Sequence, residues 1–92
     1  MENFNLETVK LHLRIDDSAH DPLLINLMAA AKDFAETFIG RKLDDLAPLP
    51  GTVLAGLLLH TSILFEDTDG YLHKQNIEAV KLLYWPYRAV SV

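Results

Sequence analysis

The segment from Asp21-Pro22 to Gly40 constrains this chain most, because it carries both ends of a helix and the periodicity between them. Asp before Pro reads as an N-cap with proline at the first helical position, where a missing N–H costs nothing. Gly40 stands where a left-handed C-terminal cap is expected, and Arg41 and Lys42 follow it near the negative end of the helix dipole. Between these signals Leu23, Leu24, Leu27, Ala30, Ala31, Phe34, Ala35 and Phe38 fall on one broad stripe. Asn26, Asp33, Glu36 and Thr37 fall opposite. The spacing predicts an amphipathic helix that must bury its stripe against other helices.

Three further helices are expected around it. Asn5 is a good N-cap for a short first helix in which Leu6, Val9 and Leu13 share a face, ending near Arg14 to Asp16. Pro48 and Pro50 make Leu43 to Gly51 a connector. A third helix starts near Pro50 to Thr52 and runs to about Phe65, with Val53, Leu54, Leu57, Leu58, Leu64 and Phe65 on its main face. Glu66-Asp67-Thr68-Asp69-Gly70 reads as a turn, and Asn76 as the cap of a last helix. In that helix Ile77, Val80, Leu83 and Tyr84 share a face, and Pro86 stops it. Alternation of the kind strands need occurs only in pieces already claimed by helices. The expectation is an all-α fold, a small bundle of about four helices in a single domain over 1–92.

The third helix is apolar on two sides. Leu59 and Ile63 lie one turn apart away from the main face, with Gly56 beside them leaving room for close backbone approach. Such a helix is either the central one of the bundle or one that also packs against another chain. On the second reading Leu59 and Ile63 help form a lateral contact, and Asp at both positions should prevent assembly while leaving helix content intact. Half of all residues are hydrophobic, which is difficult to hide in 92 residues and favours a partner subunit. Tyr84, Trp85 and Tyr87, with Arg88, gather aromatic and guanidinium groups beside the last helix stop, as interface anchors do and as ordinary core-closing residues also do; Trp85 and Arg88 fall off the apolar face of the last helix. The expected subunit or partner contacts are therefore Gly56, Leu59, Ile63, Trp85, Tyr87 and Arg88.

Several function classes are disfavoured. A net charge of −5, with the basic residues scattered, argues against affinity built on neutralising phosphates. Cysteine is absent, so there is no disulfide framework, thiolate nucleophile or zinc knuckle. The apolar stretch Val53 to Phe65 falls short of the roughly 20 residues that span a bilayer. The opening Met1-Glu2-Asn3-Phe4-Asn5 lacks a basic region followed by an apolar one. A soluble protein made in the cytoplasm, with no membrane partner, is expected.

Chemistry-bearing residues do not assemble into a recognisable site. His12 and Asp16 are four apart and, with Asp21, are the best metal or hydrolase candidates, but one such pair is half a site and a solvated helix surface is the plainer reading. His60 stands among apolar residues and reads as packed or partner-facing. Asp67-Thr68-Asp69-Gly70 resembles a fragment of a calcium loop without its closing glutamate, and Asp16, Asp17 and Asp21 read as loop and cap rather than a magnesium cluster. Ser18, Ser62 and Ser91 have no visible base or orienting carboxylate. No catalytic, cofactor-binding or metal residue is expected, and the chain reads as a non-enzyme.

In their order, these features resemble the small head-tail connector, or adaptor, proteins of tailed bacteriophages and prophages. The resemblance rests on Val9-Lys10-x-His12-Leu13-Arg14-Ile15-Asp16, the acidic link to Asp21-x-Leu23-Leu24, and Ala29-Ala30-Ala31. It continues through Phe38-Ile39-Gly40-Arg41-Lys42-Leu43, the proline-introduced apolar helix, and Leu82-Leu83-x-x-Pro86-Tyr87-Arg88. Two departures are Glu66-Asp67-Thr68 in place of a more basic or amide-rich exit, and few residues after Arg88, which implies a short portal-gripping arm or none. The resemblance implies an all-helical virion protein at the head-tail junction, a ring homo-oligomer of roughly a dozen copies. The ring would sit beneath the portal protein, dock a stopper or tail-completion protein, and pass DNA only as non-specific cargo. An acidic balance suits such a channel, since a basic lumen would hold phosphates. The competing class is a small acidic helical regulator, antitoxin-like and dimeric, covering one partner.

Overall fold

The computed structural model describes residues 4–46, 48–66 and 71–88. Among them are four α-helices and two 3-10 turns: α1 Leu6–Leu13, α2 Asp21–Ile39, a 3-10 turn Leu43–Leu46, α3 Gly51–Glu66, α4 Tyr71–Tyr84 and a 3-10 turn Trp85–Tyr87. The fold is all-α. It measures 18 Å along its shortest axis, roughly two helix diameters, so it is two layers deep.

Local chemistry sets the ends of α1. Asn5, in an extended conformation, accepts hydrogen bonds at Oδ1 from the Thr8 N–H at 2.9 Å and the Thr8 hydroxyl at 3.0 Å. At the other end Arg14 adopts the left-handed conformation with φ 60°. Its N–H reaches the Leu11 carbonyl at 3.2 Å and the Ile15 N–H reaches that of Lys10 at 2.9 Å. This is a Schellman closure built without glycine.

α2 begins one residue earlier than expected. Asp21 is its first residue rather than its cap; His20 precedes it without a side-chain cap bond, and Pro22 is second. The Asp21 carboxylate turns instead to the Lys10 ammonium, 3.0 Å away, which ties the start of α2 to α1. The His20 ring meets Phe65 edge-on at 5.4 Å, tying the same link to the end of α3. At the far end Gly40 takes φ 82°, as the sequence predicts, and its N–H donates to the Glu36 carbonyl at 2.9 Å. The Glu36 carboxylate then accepts from the Leu43 N–H at 2.9 Å, which fixes the turn out of the helix.

α3 is the central helix. It packs along α4 and α2 and touches α1. Val53, Gly56, Leu57, His60, Thr61 and Ile63 are all buried, so both of its apolar sides are used within the chain. The Thr61 hydroxyl donates to the Leu57 carbonyl at 2.8 Å, satisfying a polar group that the core encloses.

α4 starts at Tyr71, not at Asn76, which stands inside the helix. Asn is a weak indicator of a cap when good helix formers such as Lys74 and Gln75 precede it. Its expected face is present: Val80 and Tyr84 are fully buried, and Ile77 packs against the core. Pro86 ends the helix in a 3-10 turn closed by the Arg88 N–H on the Trp85 carbonyl at 3.1 Å. The expected turn and calcium-loop fragment at Asp67-Thr68-Asp69-Gly70, and Ser91, lie outside the described residues.

Candidate assembly surface

The end of α2 and the end of α4 meet, and an aromatic column connects core to surface there. Phe34 and Phe38 are one turn apart on α2 and stack at 6.2 Å. Phe34 meets the buried His60 ring edge-on at 4.9 Å and Tyr84 at 6.5 Å. Phe38 contacts Tyr84 at 6.4 Å and Trp85 at 6.2 Å. His60 is thus packed, one of its two expected states.

Tyr84 is the hinge of this column. Its ring is fully buried and lies against the backbone of Gly56, where a β-carbon would stand 2.5 Å from Cε1. Its hydroxyl has no hydrogen-bond partner among the described residues. Burial pushes the phenol well above its ordinary pKa, because the anion would be stripped of water.

At the surface end Trp85 is 59% exposed and Leu82 72% exposed. The Arg88 guanidinium sits 5.0 Å from the Phe38 ring centre and 5.6 Å from that of Trp85. Both π faces attract the cation, by about 0.5–1 kcal/mol each at an exposed site. Phe38, Leu82 and Trp85, with Glu78 and Lys81, line an open groove of about 440 Å³. Lys81 answers Glu78 at 3.2 Å, whereas the ion pairs of the described residues do not include Arg88. The chemistry available is apolar and cationic docking.

The six expected contact residues separate into two groups. Trp85 and Arg88 are exposed and adjacent; Tyr87 is half-buried and packs against the core. Gly56 and Ile63 are covered by the chain itself, and Leu59 is half-buried against the core. On the second apolar side of α3, Gly56 and Ile63 therefore meet this chain's own helices, while Leu59 stays half-buried at the margin of the exposed strip that carries Thr52, Ala55 and Glu66. Phe38 and Leu82 complete the surface without having been singled out as contacts. Leu82 had a signal, since it is an apolar residue off the Ile77, Val80 and Tyr84 face; Phe38 looked like ordinary core.

His12, Asp16 and Asp21 do not form a site. Asp21 is engaged by Lys10, and no three His, Cys, Asp or Glu side chains among the described residues converge on a point that could hold a metal ion. No helix among the described residues is long and apolar enough to cross a membrane.

The described residues thus make an all-helical module whose distinctive surface is the Arg88 guanidinium set against the half-buried Phe38 ring and the exposed Trp85 ring. The family model described as phage gp6-like head-tail connector protein matches residues 3–83, and the chain belongs to that family of structural phage proteins. The match ends just short of Trp85, so the exposed end of the aromatic column lies beyond it. No curated protein and no solved structure matches the chain.

Proposed function

We propose that this protein is a non-catalytic subunit of a homo-oligomeric ring at the phage head-tail junction, set beneath the portal protein and offering a docking surface to a stopper or tail-completion protein. The observation that carries this reading is the exposed Trp85 with Arg88 held over it and over Phe38, in a chain of the connector family. Large rigid aromatics and arginine are the residues that anchor protein interfaces. A net charge of −5 supports a channel wall that DNA slides past without adhering.

Native mass spectrometry over a concentration series, with negative-stain microscopy of any large species, tests the proposal. A closed oligomer with a central hole, formed by the protein alone or on added portal protein, is expected. A strict dimer indifferent to portal protein would instead indicate the regulator. Trp85→Ala should keep the helix content and lose the large species, because its ring contributes to the surface more than to the core.

A further inference from the structure

Two exposed apolar patches lie at opposite ends of α2. At its start Leu11 is 79% exposed and Ile25 54% exposed. Leu11 follows Lys10, and Ile25 stands one turn beyond Asp21 on the same face of α2, so both flank the Lys10–Asp21 ion pair. The link entering α2 there carries Asp16 and Asp17, both exposed. At the other end are Leu82, Trp85 and Arg88, whose guanidinium lies over Trp85. At a rise of about 1.5 Å per residue, the stretch from Asp21 to Phe38 runs about 25 Å, so no single copy can bring the two patches together.

We propose that the Leu11 and Ile25 patch of one copy seats in the Leu82 and Trp85 groove of a second copy, head to tail. This identifies the contact within the ring reading above and rests on it. Charge chooses the occupant. If the groove met its own image about a two-fold axis, both surfaces would bring an Arg88 charge beside an already paired Glu78 and Lys81, and two like net charges would lose water together. Against the other patch, Arg88 approaches the end of the molecule that carries the exposed Asp16 and Asp17 with Arg14, a net negative balance, and electrostatic complementarity of this kind fixes register and partner. The groove, at about 440 Å³, admits branched aliphatic side chains. Because each copy then uses two different faces, the contact repeats from copy to copy and either closes or extends, as the rotation dictates.

The absence of cysteine makes the test clean. Ile25→Cys and Leu82→Cys, each at an exposed position, are prepared singly and mixed in equal amounts with a short bismaleimide. A cross-linked dimer is expected from the mixture and from neither variant alone, and a ladder from the double variant. Cross-linking within either single variant, or none in the mixture at millimolar protein, overturns the proposal. If the mixture gives no cross-link, rings seen by microscopy without the reagent leave the ring reading standing and remove this contact alone. A ladder without closed species would do the reverse.

Discussion

A β-carbon at Gly56 would stand 2.5 Å from Cε1 and 2.9 Å from Cζ of Tyr84, closer than side chains pack. The absent side chain lets α4 lay a tyrosine ring directly on the backbone of α3. Because that ring also touches Phe34 and Phe38, Gly56 sets the depth of the whole aromatic column.

Gly56→Ala should therefore destabilise the protein by about 1–3 kcal/mol, although alanine is the better helix former by about 1 kcal/mol. Tyr84 cannot move away without displacing two phenylalanines. Urea denaturation measures the change; an unchanged or raised midpoint would show that the ring gives way freely.

Tyr84→Phe should keep the fold and gain about 1 kcal/mol, since it removes a buried hydroxyl with no partner among the described residues. It should also flatten the alkaline limb of stability. The folded phenol holds its proton above the pH at which the unfolded one, near 10, releases it. The contribution is thus complete below about pH 10 and is lost as pH rises, by up to about 1.4 kcal/mol per pH unit. Denaturation of both proteins between neutral pH and the alkaline limit should show the curves diverging only at the alkaline end.

Arg14→Gly should raise stability by about 1 kcal/mol. The left-handed residue that closes α1 carries a side chain there, at a steric cost that glycine avoids, less the backbone entropy glycine adds to the unfolded chain. A thermal midpoint that falls would mean that the Arg14 side chain makes a compensating contact.

Ile63→Asp should unfold the protein rather than only prevent its assembly. Ile63 is 6% exposed, and an unpaired carboxylate placed there costs at least about 3 kcal/mol. Loss of helical circular dichroism is the expected outcome; Leu59→Asp, at a half-buried position, should be milder. A soluble, fully helical Ile63→Asp protein would restore the view of α3 as a lateral contact.

Much of the fold was legible because helix ends are local events. Asn5, Gly40 and Pro86 act on the backbone groups beside them, whatever the rest of the chain does, and all three mark ends in the structure. Asp21 and Asn76 misled for the complementary reason: a polar side chain near a helix start has more than one possible partner. Only the approach of Lys10 decided that Asp21 would pair rather than cap.

The candidate surface was half legible. Trp85 and Arg88 fall off the apolar face when the period of the last helix is continued past Pro86, and both are exposed, although the structure sets them in and after a 3-10 turn rather than in α4. Gly56, Leu59 and Ile63 belong to an apolar signal too, yet the chain itself covers Gly56 and Ile63 and half-covers Leu59.

The sequence by itself determined that four helices form, which stripe of each is apolar, and that the acidic, cysteine-free chain is a poor candidate for phosphate binding or thiol chemistry. Tertiary structure alone decided which apolar face meets which: α3 at the centre, Tyr84 on Gly56, and Arg88 over the Phe38 and Trp85 pair. The reason is that apolar attraction has no direction and no address. A stripe of leucines states that it must be covered, and only the packed shape of the neighbouring helices states by what.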